Sequence, residues 1–402
     1  MHILLVPSWY PQTPQDFNGS FFREQAQAVA SSGALIGVLA VRGIPIYSTQ
    51  AVRARRREID FEDDEGILTA RADAVLPVPK AHSLNYAVHY RRLTHAFAAY
   101  VARNGTPDVL HAHALFPGGI LTHRLAAEFG IPFIITEHRP SSMQRVTRGW
   151  FRRRGVTAAR AADRRIAVAA EFAKQLTVAY GSADKPWEYF PGLLSPQLEA
   201  SAVRKAPHQP PFVFAHVSHL DPGKRVDLLI DAFADRFAGD ERAALRIAGN
   251  SAERASLEVQ AQRRGVSTQV DFIGAVPREA IAAEFAAAHA FVLPSEKEAF
   301  GTVIWEAMAS GLPVISSRTW AGLNAVTDEV GLLFDVNDRE RLGDALAAMR
   351  ESFARYDGDR IRAICIDHCG RGAFNALYLE AYERAIRNGF PATSLRARKQ
   401  HR

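Results

Sequence analysis

Short apolar runs alternate with helical segments along this chain, in two series held apart by a polar, proline-bearing stretch, LSPQLEASAVRKAPHQPP (194–211). Such alternation marks parallel sheets wrapped by crossover helices. In the first series, HILLV (2–6), LIGVLAV (35–41), DVLHA (108–112), PFIIT (132–136) and RIAVA (165–169) are expected strands, with helices over 21–32, closed by Gly33, and over 118–129. In the second, strands are expected at 212–218, 244–248, 270–273, 290–293 and 313–316. The expected architecture is α/β, with two doubly wound, Rossmann-like halves. Ligands of such sheets gather at the C-terminal ends of the strands, so the site is expected in a cleft between the halves.

At 402 residues two domains are the default, and 48% hydrophobic against 23% charged residues describes a globular chain. No apolar run approaches the roughly 18–20 residues of a membrane-spanning helix. The opening MHILLVPSWYP lacks the basic start and cleavage site of a signal peptide, so a cytoplasmic location is expected. Cys365 and Cys369 are the two cysteines; at this spacing they make neither a disulfide framework nor a zinc site and are expected to be buried. The net charge of +6 points to an anionic partner, with nucleic acid, an anionic membrane and a nucleotide-linked substrate all open at this level.

Residues 293–317, LPSEKEAFGTVIWEAMASGLPVISS, concentrate the chemistry. A buried strand leads into the loop SEKEAFG and the helix TVIWEAMAS, which Gly311 stops before Pro313 opens the next strand. The backbone N–H groups around Phe300, Gly301 and Thr302 then stand at a positive helix N-terminus, an anion site suited to phosphate. Glu306, one turn inside, is placed to accept two hydrogen bonds from a vicinal diol such as ribose. Glu298, before the helix, faces whatever extends beyond the phosphates, and Glu296 is left as a solvated neighbour. A helix-start carboxylate and a surface glutamate are the ordinary alternative. That alternative is weakened because Glu306 lies within the apolar run VIWEAMA, where an unpartnered carboxylate is costly.

HVSHLDPGKRVDLLIDAF (216–233) is a strand, a turn and a helix, with Lys224 and Arg225 at the turn's exit, where a cation neutralises a diphosphate leaving group. Most lysines are merely solvated, so position rather than residue type selects Lys224. In the first half, NGSFFREQ (18–25) sets Gly19 before a helix, where backbone approaches a phosphate closely. HAHALFPGG (111–119) and TEHRP (136–140) end neighbouring strands with His113 and His138, either as structural hydrogen-bond donors or as site residues. FEDDEG (61–66) is expected to be a solvated hairpin turn rather than a divalent-metal site. The arginine-rich segment 145–165, with Trp150 and Phe151 interleaved, is open between an anionic membrane or acceptor patch and a plain solvated face. No recognised nucleic-acid fold accompanies it, and no nucleic-acid partner is expected.

In this order, DVLHAH, TEH, LDPGKRVDLLIDAF, LRIAGN, VDFIGAV and PSEKEAFGTVIWEAMASGLPVISS resemble the retaining nucleotide-sugar glycosyltransferases of family 4 (group 1), which have the GT-B fold. The resemblance runs from Met1 to about Arg387, and the glutamate pair with FG and GLPV is its most specific part. It implies that Glu306 binds the nucleotide ribose, Glu298 faces the donor sugar and Lys224 contacts the diphosphate. Gly19 then lies near the donor phosphates and His138 near the transferred sugar. His219, Arg225, Phe300, Gly301 and Thr302 complete the implied donor site, and His113 stands on the acceptor side. This sequence departs from the family pattern twice. His219 stands where the family commonly has arginine, which shifts leaving-group stabilisation to Lys224 and Arg225, and the acidic residue usual after GLPV is absent from WAGLNAV. The implied organisation is an acceptor-binding domain 1–193, the linker 194–211 and a nucleotide-sugar-binding domain 212–372. A C-terminal helix, 373–390, packs back toward the first domain, and a basic tail, 391–402, follows.

The implied reaction moves a sugar from a nucleoside diphosphate sugar to a hydroxyl of a glycan or lipid-linked acceptor with retention. It needs no cofactor or metal, because lysine and a helix dipole supply the positive charge. PSWYP with NGSFFREQA is similar to members that build bacterial exopolysaccharide or other cell-envelope glycans, and peripheral attachment at the inner face of the cell membrane is a further expectation. Two alternatives stay open: an inactive nucleotide-sugar-binding partner of a glycan-assembly complex, favoured by His219, and another sugar-nucleotide enzyme of this fold such as an epimerase. No GxGxxG follows the first strand, which argues against a nicotinamide dehydrogenase.

Overall fold

The computed structural model describes all residues except 14–15, 17–18, 55–57, 141, 146–148, 181–183, 204–209 and 390–402. The basic tail and part of the arginine-rich segment therefore lie outside the described residues. The chain divides into two compact units, Met1–Phe190 with the segment from Asn375, and Pro191–Phe374.

The strands of the first unit are β1 (His2–Pro7), β2 (Leu35–Pro45), β3 (Asp60–Asp64), β4 (Ile67–Leu76), β5 (Val109–His113), β6 (Phe133–Glu137), β7 (Arg164–Ala167) and β8 (Glu188–Tyr189). Among the described residues they form one sheet in the order β3-β4-β2-β1-β5-β6-β7-β8. Every neighbouring pair is parallel except β3 with β4. β1 is buried at every position, as a central parallel strand covered on both faces must be. The chain builds outward from β1 to β2 and β4, then returns to place β5 on the other side of β1. The topological switch point is thus between β1 and β5.

FEDDEG forms the β3–β4 hairpin, with Glu65 and Gly66 at positive φ in its turn. Its acids are not simply solvated, which corrects the expectation. Asp64 is buried and pairs with Arg23 at 3.0 Å and Arg71 at 3.5 Å, while Glu65 also reaches Arg23 at 2.9 Å. A buried carboxylate needs such partners, and these tie the hairpin to the first helix, Ser20–Ala30. The last helix, Arg371–Asn388, belongs to the first unit from Asn375 onward, where Tyr378 and Tyr382 are buried.

The second unit contains β9 (Phe212–Val217), β10 (Ala243–Ala248), β11 (Val270–Gly274), β12 (Ala290–Leu293), β13 (Val314–Ser317) and β14 (Gly331–Phe334). They form an all-parallel sheet, β11-β10-β9-β12-β13-β14, with its switch point between β9 and β12. The helix Val226–Phe237 points Leu229, Phe233 and Phe237 at successive turns into a core that includes Phe214, Leu245, Ile247 and Val292. Each such side chain contributes about 1.5–3 kcal/mol by leaving water.

The expected linker is partly built into this unit. Helix Pro196–Ala200 buries Leu198, and Arg362 donates to the carbonyls of Leu198 and Glu199 at 3.2 and 2.6 Å. Cys365 and Cys369 are free and buried one turn apart, their sulfurs 3.7 Å from each other. No helix among the described residues is long and apolar enough to cross a membrane.

Candidate functional site

At the switch point of the second unit the loops that follow β9 and β12 meet. The turn Pro222–Lys224 is joined to the other loop by a backbone bond from Glu296 N to Gly223 O at 2.9 Å. Beside it, Lys224 Nζ donates to Glu298 Oε2 at 2.6 Å, with both side chains largely shielded from water. Arg225 follows in the left-handed region, at φ 53°. There its guanidinium grips Asp227 through two bonds of 3.0 Å and reaches Glu296 at 3.4 Å and Asn337. The Asp227 hydrogen bonds, before any other influence, hold the guanidinium's pKa above its usual value. Arg225 therefore fixes the loop rather than presenting an unengaged cation, and Glu296 is its partner rather than an idle neighbour.

Gly301 caps the helix Thr302–Ala309 at φ 65° and ψ 56°. A Cβ there would stand 2.7 Å from Ala321 Cβ and 3.2 Å from Glu298 Cγ. Glycine is thus required both by conformation and by space, and its close neighbour is Glu298. Thr302 is exposed at the helix start. The Phe300 ring is buried near Trp305, at 5.8 Å, and against Gly192, so its backbone rather than its ring suits an anion. Glu306 is half-buried one turn inside the helix. Its charge is one of the influences, after burial and the Cys365 contacts, that raise the Cys369 thiol well above the ordinary range. His219 is exposed just beyond β9. His216, inside β9, bonds Val292 O at 2.9 Å and Ser218 Oγ at 2.7 Å, so the two central strands are linked through its ring. Burial pushes its pKa down to about 4 despite the Val292 bond.

The first unit assembles a different group. His113, ending β5, and His138, just past β6, share a bond from Nδ1 to Nε2 of 3.0 Å, so one ring donates and the other accepts. His111 lies 4.0 Å from His113, ring to ring, and bonds Tyr382 Oη and Thr136 Oγ1 at 2.8 Å each. Burial first, then Arg139's charge, pushes His138 down to about 3. Burial also holds His111 and His113 well below the usual histidine value. All three are neutral imidazoles at physiological pH. His113 Nε2 is buried and has no hydrogen-bond partner among the described residues.

Glu137 organises this end of the sheet, a role the sequence reading missed because TEHRP draws the eye to its histidine. Its fully buried carboxylate accepts from Leu115 N at 2.8 Å and from His138 N and Arg139 N at 2.9 Å each. Those three bonds work against the burial that raises its pKa. Gly19 caps the helix Ser20–Ala30 at φ 91°. A Cβ on it would meet Trp9 Cδ1 at 2.9 Å, so an indole covers that side of Gly19.

A cavity of about 530 Å³ opens beside the same switch point, lined by the residues after β1 (Trp9 and Tyr10), by Phe116 after β5, and by Tyr86, Trp150 and Phe151. The signal for it in the sequence was the aromatic pair in PSWYP, directly after the first strand. The arginine-rich segment divides by role. Arg152, Arg153 and Arg154 are exposed on the helix Gly149–Ala161, whereas Arg165 is buried and donates to the carbonyls of Ala159 and Ala162 at 3.2 and 2.9 Å. Among the described residues no cluster of three or more His, Cys, Asp and Glu is placed to hold a metal ion.

Two mainly parallel α/β units, each with candidate side chains at the C-terminal ends of its central strands, give this protein the GT-B architecture. Residues 35–192 match the glycosyltransferase family 4 model and residues 199–352 the model of glycosyl transferases group 1, and the chain belongs to this family. Among curated relatives it is 32% identical over 224 residues to a D-inositol 3-phosphate glycosyltransferase of Nocardia farcinica, covering 50% of this chain and 47% of the relative. The protein of the same name from Kribbella flavida is 33% identical over 205 residues, covering 47% of this chain and 48% of the relative. The matches thus span about half the length of these relatives. In fold, the chain is similar to sucrose-phosphate synthase of Thermosynechococcus elongatus, with a TM-score of 0.71 at 19% identity, covering 95% of this chain and 98% of the other. It is also similar to HepE of Anabaena in complex with UDP, with a TM-score of 0.69 at 18% identity, covering 95% and 100%.

Proposed function

We propose that the protein transfers a sugar, with retention of configuration, from a nucleoside diphosphate sugar to a hydroxyl of a glycan or lipid-linked acceptor in cell-envelope polysaccharide assembly. The observation that carries this reading is the Lys224–Glu298 pair beside the glycine-capped helix that starts at Thr302. Without donor, ammonium and carboxylate neutralise each other. An arriving diphosphate offers Lys224 a stronger anionic partner and releases Glu298 to accept hydrogen bonds from donor-sugar hydroxyls. Lys224 and the helix-start N–H groups then stabilise the charge that grows on the departing diphosphate. Glu306 holds the ribose diol. The departing diphosphate oxygen takes the acceptor proton on the face it leaves, which is what retention requires. With this positive charge in place the step calls for no metal.

In the first unit, the neutral His113 and His138 suit a hydroxyl, since a neutral imidazole both donates and accepts. The solved complex of HepE with UDP supports a nucleotide-linked donor. Exposed Arg152, Arg153 and Arg154 supply a positive face for an anionic membrane surface, at about 1 kcal/mol for each charge.

The test is nucleoside diphosphate release from a panel of UDP-, GDP-, ADP- and dTDP-sugars, with product anomers assigned by NMR. One donor is expected to be turned over, with its anomeric configuration kept and activity lost in Glu298→Gln. If no donor stabilises the protein or is consumed, the proposal is wrong. A donor that binds but is not consumed with any acceptor identifies an inactive partner instead.

A further inference from the structure

The cavity of the first unit has a composition that selects among acceptors. Its volume, about 530 Å³, lies within the roughly 300–1,000 Å³ of sites that enclose small ligands. Tyr10, Tyr86 and Phe116 are buried in its walls, and Trp9, Trp150 and Phe151 are half-buried, so six aromatic rings contribute to one lining. Tyr86 and Trp150 meet edge to face at 5.4 Å, as do Trp150 and Phe151 at 5.1 Å. Planar polar groups, Arg42, Asp73 and Asn85, share the lining.

The two arginines of this lining are already bound to acids. Arg42 binds Asp73 through Nε at 3.1 Å and Nη2 at 3.3 Å. Arg71 binds Glu62, Asp64 at 3.5 Å and the Pro11 carbonyl. Asp16 and Asp60 add negative charge to the lining, and burial lowers the pKa of His89, so its ring is neutral. Arg154 lies over the Tyr86 and Trp150 rings at 5.4 and 5.8 Å, but its side chain is exposed to solvent. Among the described lining residues, a phosphorylated acceptor would meet carboxylates and two guanidiniums already bound to acids, and would lose hydration without gaining an unengaged cation from them. An uncharged sugar asks for what is present: flat apolar faces for its C–H surfaces, and carboxylate, amide and guanidinium edges for its hydroxyls.

Resting on the proposed transfer reaction, we infer that this cavity takes the uncharged saccharide end of the acceptor, and that a phosphorylated polyol of the kind named in the curated relatives is not its substrate. Any charged carrier attached to the saccharide stays outside the cavity.

The experiment titrates the purified full-length protein with neutral disaccharides, including maltose, lactose, cellobiose and chitobiose, with inositol 3-phosphate, and with inorganic phosphate. Tryptophan fluorescence and calorimetry are the readouts. At least one disaccharide is expected to bind with an affinity that 0.3 M salt leaves within about twofold, since no net charge is neutralised. Trp150→Ala, at a half-exposed position, is expected to weaken it about tenfold, the worth of one ring contact of roughly 1.4 kcal/mol. Asp73→Asn, which frees Arg42, is expected to weaken the disaccharide and strengthen inositol 3-phosphate several-fold.

Tighter, salt-sensitive binding of inositol 3-phosphate by the unaltered protein would overturn the inference, as would disaccharide binding indifferent to both substitutions, or none at all. Nucleotide-sugar turnover, followed in the same preparations, separates the two levels. Turnover onto phosphorylated acceptors alone would overturn the cavity assignment while leaving the transfer reaction in place, whereas absence of donor binding would strike the transfer reaction itself.

Discussion

At the switch point between β9 and β12, an ammonium and a carboxylate stand 2.6 Å apart beside a helix N-terminus, and the next residue, Arg225, is bound to two more acids. Near the switch point between β1 and β5 stand three histidines held neutral by burial, and the same unit opens an aromatic-walled cavity whose arginines are paired with acids. The two sheets share the doubly wound logic and put their side chains at matching places, yet one sets an ammonium–carboxylate pair at a helix start and the other sets neutral imidazoles. Topology chooses where a site forms, and the loop residues choose what it does. In the proposed reaction the division makes chemical sense. The donor carries a diphosphate whose charge grows as the bond breaks, while a sugar hydroxyl asks for neutral groups.

The sharpest way to break this comparison is to remove a polar group from each side. Lys224→Met is expected to lower kcat/KM by about 10²–10³-fold, the usual cost of losing one group that stabilises a developing anion. His138→Gln keeps a neutral donor and acceptor and is expected to cost about tenfold or less. Steady-state kinetics on folded variants checks both, and equal losses would erase the distinction between the units.

A second pair tests the glycine caps, Gly301 at φ 65° and Gly19 at φ 91°. Alanine at either position must adopt a left-handed conformation and push into a neighbour, Ala321 Cβ at 2.7 Å or Trp9 Cδ1 at 2.9 Å. Each is expected to cost about 1–3 kcal/mol in thermal or denaturant unfolding. Gly33→Ala, with nothing within 4 Å of the added carbon, isolates the conformational part and should cost least.

Acid should separate the units as well. His138 titrates at about 3 and His216 at about 4 in the folded protein, against 6.5 for an ordinary histidine. Between those values the unfolded chain binds protons that the folded chain refuses. The stability these groups contribute is complete above pH 6.5 and drains away as pH falls toward 3 or 4, at up to about 1.4 kcal/mol per pH unit for each group. The first unit carries His89, His111, His113 and His138 of this kind. Glu137, whose pKa is raised, offsets part of the effect, because its protonation in acid is easier in the folded state. Hydrogen exchange at pH 7 and 4.5 should show protection lost in the first unit before the second.

The parts of this molecule that were legible in its sequence are those in which one chain segment carries its own context. The run from Leu293 to Ser317 encodes strand, loop, glycine cap and helix in sequence order, so Glu298, Gly301 and Glu306 were placed by spacing alone. What escaped depends on pairings between distant segments. Asp64 appeared solvated because its partner, Arg23, is on another element. Glu296 appeared idle because Arg225 lies 71 positions away. The cavity joins residues that follow two central strands to residues of two distant helices, and no local periodicity records that. The linker 194–211 shows the same dependence on distant partners. Its prolines and polar residues mark a connection between domains, but do not reveal that Arg362, more than 160 positions downstream, binds the carbonyls of Leu198 and Glu199 within it.

The smallest expected effect concerns His219, one of the two places where the resemblance implies a departure from the family pattern. His219 is exposed beyond β9, while Lys224 is shielded and already set against Glu298. An added exposed charge acts through high dielectric and salt, and at contact distance it is worth about 1 kcal/mol or less. His219→Arg should therefore raise kcat/KM by no more than about fivefold, and the gain should shrink as salt is added. A hundredfold gain would mean that Lys224 and the helix N-terminus leave the leaving group largely unsupported. The second unit would then have only a partial charge-handling site, and the contrast with the neutral first unit would reflect an incomplete donor site rather than a division of labour.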